Sequence, residues 1–144
     1  MTASQPVAAL TFLMAGQVGA HDRRVQRFTD ADRQHYLDLL SGLFVLCVDR
    51  RFRRDDDHGA VIRFVASVRE RFDPERTLVD PTVAENLLLA ALGGHDTLPA
   101  TAENVTVQTL LTVALVSDEQ PSPAGYDALL CQVDAMMAVV PSSD

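Results

Sequence analysis

A chain of 144 residues suits one domain and buries about two thirds of its unfolded surface without needing disulfides or a metal. With 47% hydrophobic residues and no Trp, its core must be mostly Leu, Val and Ala, which suits helix packing over a β-sandwich. No stretch reaches the ~18 uninterrupted apolar residues of a membrane span. No Lys or Arg precedes Arg23, where a secretory signal would carry its basic start, so an intracellular, cytoplasmic protein is expected.

Residues 1–5 are polar and read as frayed. PVAALTFLMAGQVGA, residues 6–20, reads as a first helix, with Pro6 in its first turn and no further proline to interrupt it. HDRRVQRF, residues 21–28, is its continuation or a short connector. Thr29 then N-caps a helix whose first turn holds Asp30 and Asp32, carboxylates that meet unpaired backbone N–H groups at the positive dipole end. From Tyr36 to Val48 almost no polar face remains, the pattern of a central helix. Gly42 inside it indicates close approach of a neighbouring backbone, because glycine costs about 1 kcal/mol against alanine there. LFVLCV, residues 43–48, taken alone also fits a short buried strand; the helical flanks on both sides favour helix.

DRRFRRDDDHG, residues 49–59, reads as a polar turn. In the following AVIRFVASVRERF the residues Val61, Phe64, Val65, Val68 and Phe72 recur with the 3.6-residue period of an amphipathic helix. Asp73 before Pro74 opens a loop or single turn. Asp80 before Pro81 starts another helix, which runs to Gly93 and Gly94 as its left-handed stop. Thr101 caps AENVTVQTLLTVALV, whose Thr and Val content makes a strand the competing reading. SDEQPSP breaks that element. Ser122 before Pro123 starts a final helix with Tyr126, Leu129, Leu130, Val133, Met136 and Met137 as its apolar stripe, and Pro141 ends it. The expected fold is all-α: a single compact bundle of five or six helices, one domain over residues 1–144, with the Leu37–Val48 helix at its centre. Over residues 110–130, LLTVALVSDEQPSPAGYDALL resembles in outline the tellurite-resistance-type helical domains, in which an acidic turn joins two helices. The Asp-Gly turn and following Glu of that pattern are missing here, and no family is assigned.

Charge is divided along the chain. Every fixed side-chain cation is an Arg, and all lie between Arg23 and Arg76, whereas residues 77–144 carry acids and no base. The lack of Lys, with abundant Ala, Val and Asp, reads as coding bias of a GC-rich bacterial genome. Asymmetry of this kind points to a charged partner or to self-association of unlike faces. Within DRRFRR, an aromatic stands between arginine pairs, a feature that can grip phosphate and stack on bases. Three aspartates follow at once and the chain carries −8 overall, so weak backbone affinity is expected and nucleic acid is not the assigned partner.

Asp55, Asp56, Asp57 and His58 are oxygen and imidazole groups within one turn. Consecutive residues diverge in direction, whereas tight metal sites draw ligands from separate elements. An N-cap by Asp57 or its neighbours, with the carboxylates offsetting Arg50, Arg51, Arg53 and Arg54, is the preferred reading. His21, His35 and His95 lack a second ligand at metal spacing and read as solvated or capping. Cys47 and Cys131 read as buried free thiols. No nucleophile elbow, phosphate loop, HExxH, dinucleotide glycine motif or Cys/His pair occurs, so no catalytic residue, metal or cofactor is assigned.

These observations favour a non-enzymatic protein–protein interaction or regulatory module. The competing classes are a small-ligand or metal-binding helical domain, and an enzyme without a recognisable motif. The partner-binding residues assigned are Arg50, Arg51, Phe52, Arg53 and Arg54, and the partner is another protein or a second copy of the chain. Phe52 serves either as an apolar anchor for that partner or as a plug at the end of the bundle.

Overall fold

The computed structural model describes residues 5–52, 58–75, 77–93, 101–119 and 122–139. Arg53, Arg54, Asp55, Asp56, Asp57, Gly94, His95 and Pro141 lie outside that set, as do the side chains of His58, Met136 and Met137. Among the described residues the protein is all-α, with seven helices and no strand: α1 (Gln5–Met14), α2 (Val18–Val25), α3 (Asp30–Arg51), α4 (His58–Phe72), α5 (Pro81–Gly93), α6 (Ala102–Glu119) and α7 (Pro123–Val139).

The helix count exceeds the expected five or six because the first predicted helix is broken. Gly16 takes φ +81°, a left-handed conformation that glycine adopts at no steric cost. The Gly16 N–H donates to the Leu13 carbonyl at 3.0 Å and the Gln17 N–H to the Phe12 carbonyl at 2.9 Å. This paired arrangement satisfies the end of α1 and turns the chain. Of the segment 21–28, residues 21–25 belong to α2 and 26–28 connect it to α3; α1 packs against α2.

Four of the predicted caps are present as hydrogen bonds, and the Asp57 cap lies outside the described residues. At α3 the bonding is reciprocal: the Asp32 N–H donates to Thr29 Oγ1 and the Thr29 N–H to Asp32 Oδ2, both at 3.1 Å, so two orphan donors are satisfied at once. Asp80 accepts from the Thr82 and Val83 amides at 2.8 and 3.2 Å, Thr101 from Asn104 at 3.1 Å, and Ser122 from Gly125 at 3.0 Å. The threonines of α6 do not make it a strand. Thr106, Thr109 and Thr112 donate their hydroxyls to the carbonyls of Ala102, Val105 and Gln108 at 2.9, 2.6 and 2.7 Å, which satisfies each side chain within the helix.

The chain divides into two compact units, Met1–Leu43 with Glu119–Asp144, and Phe44–Asp118. In the first, Ala9 and Leu10 of α1, Tyr36, Leu39, Leu40 and Leu43 of α3, and Leu129, Leu130 and Val133 of α7 are buried. The close approach expected at Gly42 is made by a side chain rather than by backbone: a Cβ placed there would lie 2.6 Å from a γ-methyl of Val133. Only a residue without a side chain lets the two helices meet at that point.

In the second unit Phe44, Cys47, Val48 and Phe52 are buried, as are Val61, Phe64, Val65 and Val68 of α4, Leu87 and Leu88 of α5, and Leu111 and Leu115 of α6. Arg71 near the end of α4 forks onto Asp118 of α6 at 2.8 and 3.5 Å. The 73–80 loop is organised by Asp73, whose buried carboxylate accepts the N–H groups of Thr77, Leu78 and Val79 at 2.9, 3.0 and 2.8 Å. Burial pushes the Asp73 carboxyl up, but these three donors and the Arg69 guanidinium outweigh it and hold the group below the usual carboxylate range.

Candidate functional site

The arginine-rich joint is partly helical. α3 continues through Asp49, Arg50 and Arg51, and the Phe52 N–H still bonds to the Val48 carbonyl at 2.9 Å. Basic residues in a last turn face the unpaired carbonyls and the negative dipole end, which favours this extension over the polar turn that the sequence suggested. Arg50 and Arg51 are therefore carried on a rigid element.

Phe52 is only 6% exposed. Its ring meets that of Phe64 edge to face, with centroids 5.5 Å apart at 83°, the arrangement favoured by aromatic quadrupoles. The ring faces inward, against α4. Arg51, by contrast, is exposed and holds its guanidinium 5.8 Å from the centre of the Phe64 ring, within range of a cation–π contact. Between the end of α3 and the first three turns of α4 these residues enclose an open cleft of about 270 Å³, lined by Arg51, Phe52, Ala60, Arg63, Phe64 and Ser67. Its floor is aromatic and arginines from two helices border it.

Of the five residues assigned from sequence, Arg51 and Phe52 line this cleft, Arg50 is exposed beside it in the chain, and Arg53 and Arg54 lie outside the described residues. Sequence reasoning missed Ala60, Arg63, Phe64 and Ser67 as site residues. Their spacing, i, i+3, i+4 and i+7, is the signal of one helix face. Phe64 belongs both to the apolar stripe and to the cleft.

A second polar cluster lies in the first unit. His21 Nδ1 is 2.9 Å from Asp22 Oδ1, and His21 Nε2 is 2.9 Å from Tyr36 Oη. A carboxylate only accepts, so Nδ1 carries a proton, and in the neutral ring Nε2 accepts from the tyrosine hydroxyl. His21 thus joins α2 to α3, and it is neither a cap nor a solvated side chain. Tyr36 also packs on Phe28, with ring centroids 5.5 Å apart. Burial, with a smaller contribution from the Asp22 charge, pushes the Tyr36 hydroxyl up to about 12. The hydroxyl stays protonated at neutral pH and serves as a hydrogen-bond donor.

The cysteines differ from expectation. Cys47 is buried but Cys131 is exposed, and neither forms a disulfide. In α7 the buried stripe is Tyr126, Leu129, Leu130 and Val133, and Cys131 falls on the opposite face, one turn from the exposed Asp127. Among the described residues no three His, Cys, Asp or Glu side chains converge as metal ligands, and no helix is long and apolar enough to cross a membrane. The Asp55, Asp56, Asp57 and His58 cluster falls outside the described side chains. Comparison of the chain with protein-family models, with curated proteins and with solved structures finds no match.

Proposed function

We propose that this chain is a non-enzymatic, intracellular protein–protein interaction module whose contact surface is the arginine-bearing joint after α3. The observation that carries this reading is the cleft of about 270 Å³ between Arg51, Phe52 and the first turns of α4. Pockets for drug-sized ligands and cofactors run from about 300 to 1,000 Å³ and are largely enclosed. An open depression below that range suits one protruding side chain of a macromolecular partner. Rigid aromatic and arginine groups are the types that dominate binding energy at protein interfaces. Charge around them sets orientation and association rate. Arg51, exposed at the edge of the cleft, supports an acidic surface as the complement.

Co-purification of the tagged chain from its own cells tests this reading. Neutralising Arg51 and Arg54 to Gln is preferred to reversing them, because a carboxylate in the last turn of α3 would itself cost about 0.3–1 kcal/mol against the helix dipole. The double variant is expected to lose its co-purifying protein and the salt sensitivity of that association, with thermal stability nearly unchanged. Capture of the same partner in equal yield at low and moderate salt overturns the proposal.

A further inference from the structure

Among the described residues of the second unit two arginines stand over phenylalanine rings, and they differ in one respect. Arg71 stands 5.4 Å from the centre of the Phe72 ring and is forked by the Asp118 carboxylate at 2.8 and 3.5 Å. Arg51 stands 5.8 Å from the centre of the Phe64 ring, and among the described residues no carboxylate pairs with it. A guanidinium resting on a ring still presents its N–H edge, the geometry that takes a carboxylate through two parallel hydrogen bonds. Arg71 with Asp118 shows the completed arrangement inside this same unit.

Resting on the reading of the joint as a contact surface, we infer that the cleft accepts a glutamate side chain from an acidic segment of a partner protein. The carboxylate pairs with Arg51, and the methylene stem lies on the Phe52 and Phe64 floor. Ser67 lines the same space, and a serine hydroxyl can serve as a further donor. Ala60 lines it from the first turn of α4, where the helix dipole also favours negative charge. Charge complementarity selects the occupant: a cation would face Arg51, and a wholly apolar side chain would cover the Arg51 edge without a hydrogen bond.

The probe is a fluorescein-labelled decaglutamate peptide, titrated against the full chain by fluorescence anisotropy. Wild-type protein is expected to bind it saturably, and amide shifts at Ala60 and Ser67 in a nitrogen–proton correlation spectrum are expected to move. Arg51→Gln removes the fork. Ser67→Leu fills the cleft while leaving charge unchanged. Each is expected to weaken binding about tenfold or more, the factor that corresponds to one lost charge-assisted hydrogen bond, with the far-ultraviolet circular dichroism unaltered.

If Arg51→Gln weakens binding and Ser67→Leu does not, surface charge acts without the cleft; the inference fails while the interaction reading stands. If neither variant alters peptide binding or partner capture, both fail. Tighter binding of a phosphoserine peptide of equal length overturns the carboxylate assignment. Sedimentation showing self-association that Arg51→Gln abolishes overturns the separate partner in favour of a second copy. Unmoved Ala60 and Ser67 amides in the wild-type chain overturn the site irrespective of how the variants fold.

Discussion

The contact between Gly42 and Val133 makes a prediction whose sign depends on a neighbour 91 residues away in the chain. In an exposed helix, Gly→Ala stabilises by about 0.8–1.0 kcal/mol through backbone entropy. At Gly42 the new methyl would lie 2.6 Å from a γ-methyl of Val133, well inside van der Waals contact, and Val133 is fully buried. Overpacking of a filled core costs about 1–3 kcal/mol. Cost exceeds gain, so Gly42→Ala is expected to destabilise by up to about 2 kcal/mol. Val133→Ala removes the obstructing methyl and by itself destabilises through lost burial and a cavity. In that background the clash is gone, and Gly42→Ala is expected to stabilise by up to about 1 kcal/mol. Urea unfolding of the four proteins, followed at 222 nm, closes the double-mutant cycle, and the coupling energy should favour the double variant by about 1–3 kcal/mol. The reasoning is refuted if Gly42→Ala stabilises the wild-type protein, or if its effect is the same in the wild-type and Val133→Ala backgrounds.

Three further outcomes follow from the buried polar groups and thiols. Tyr36, raised from 10.0 to about 12, keeps its proton in the folded state; its contribution to stability is complete below pH 10 and is lost as pH rises toward 12. Ultraviolet titration of the phenolate should show a late component that Tyr36→Phe removes, and early titration of both tyrosines contradicts it. Asp73 is held below its ordinary value of 3.8, so its contribution is present above that pH and is lost as pH falls through the folded value. The melting temperature of Asp73→Asn should be lower than wild type at neutral pH, with the gap closing in acid; a constant gap argues against the carboxylate as the cause. With a thiol-reactive disulfide reagent, Cys131 should react in the native protein and Cys47 only on unfolding, so a Cys131→Ser variant that still reacts quickly would place Cys47 at the surface.

Local chemistry determined the starts of the helices. Thr29, Asp80, Thr101 and Ser122 cap because a side-chain oxygen reaches an amide two or three residues ahead, a distance that depends on nothing elsewhere in the chain. The stripe of Val61, Phe64, Val65 and Val68 was legible for the same reason, since helical period alone brings those residues to one face. Ends and breaks were less legible. Gly16 stops α1 through its φ of +81°, yet an isolated glycine is equally tolerated within a helix. The extension of α3 to Arg51 also turned on a polar run that period cannot classify.

The cleft belongs to tertiary structure. Nothing in the order of residues says that the Phe52 ring turns edge-on to Phe64, or that Arg51 comes to rest above that same ring. Those contacts join the ends of two helices across the intervening joint. The same holds for the approach of Val133 to Gly42 and for the burial of Asp73 beneath three amides. Composition fixed which residues were available and period which face each one took. Only packing between helices decided which faces met, because close-packed interiors admit few arrangements and those depend on every surface at once.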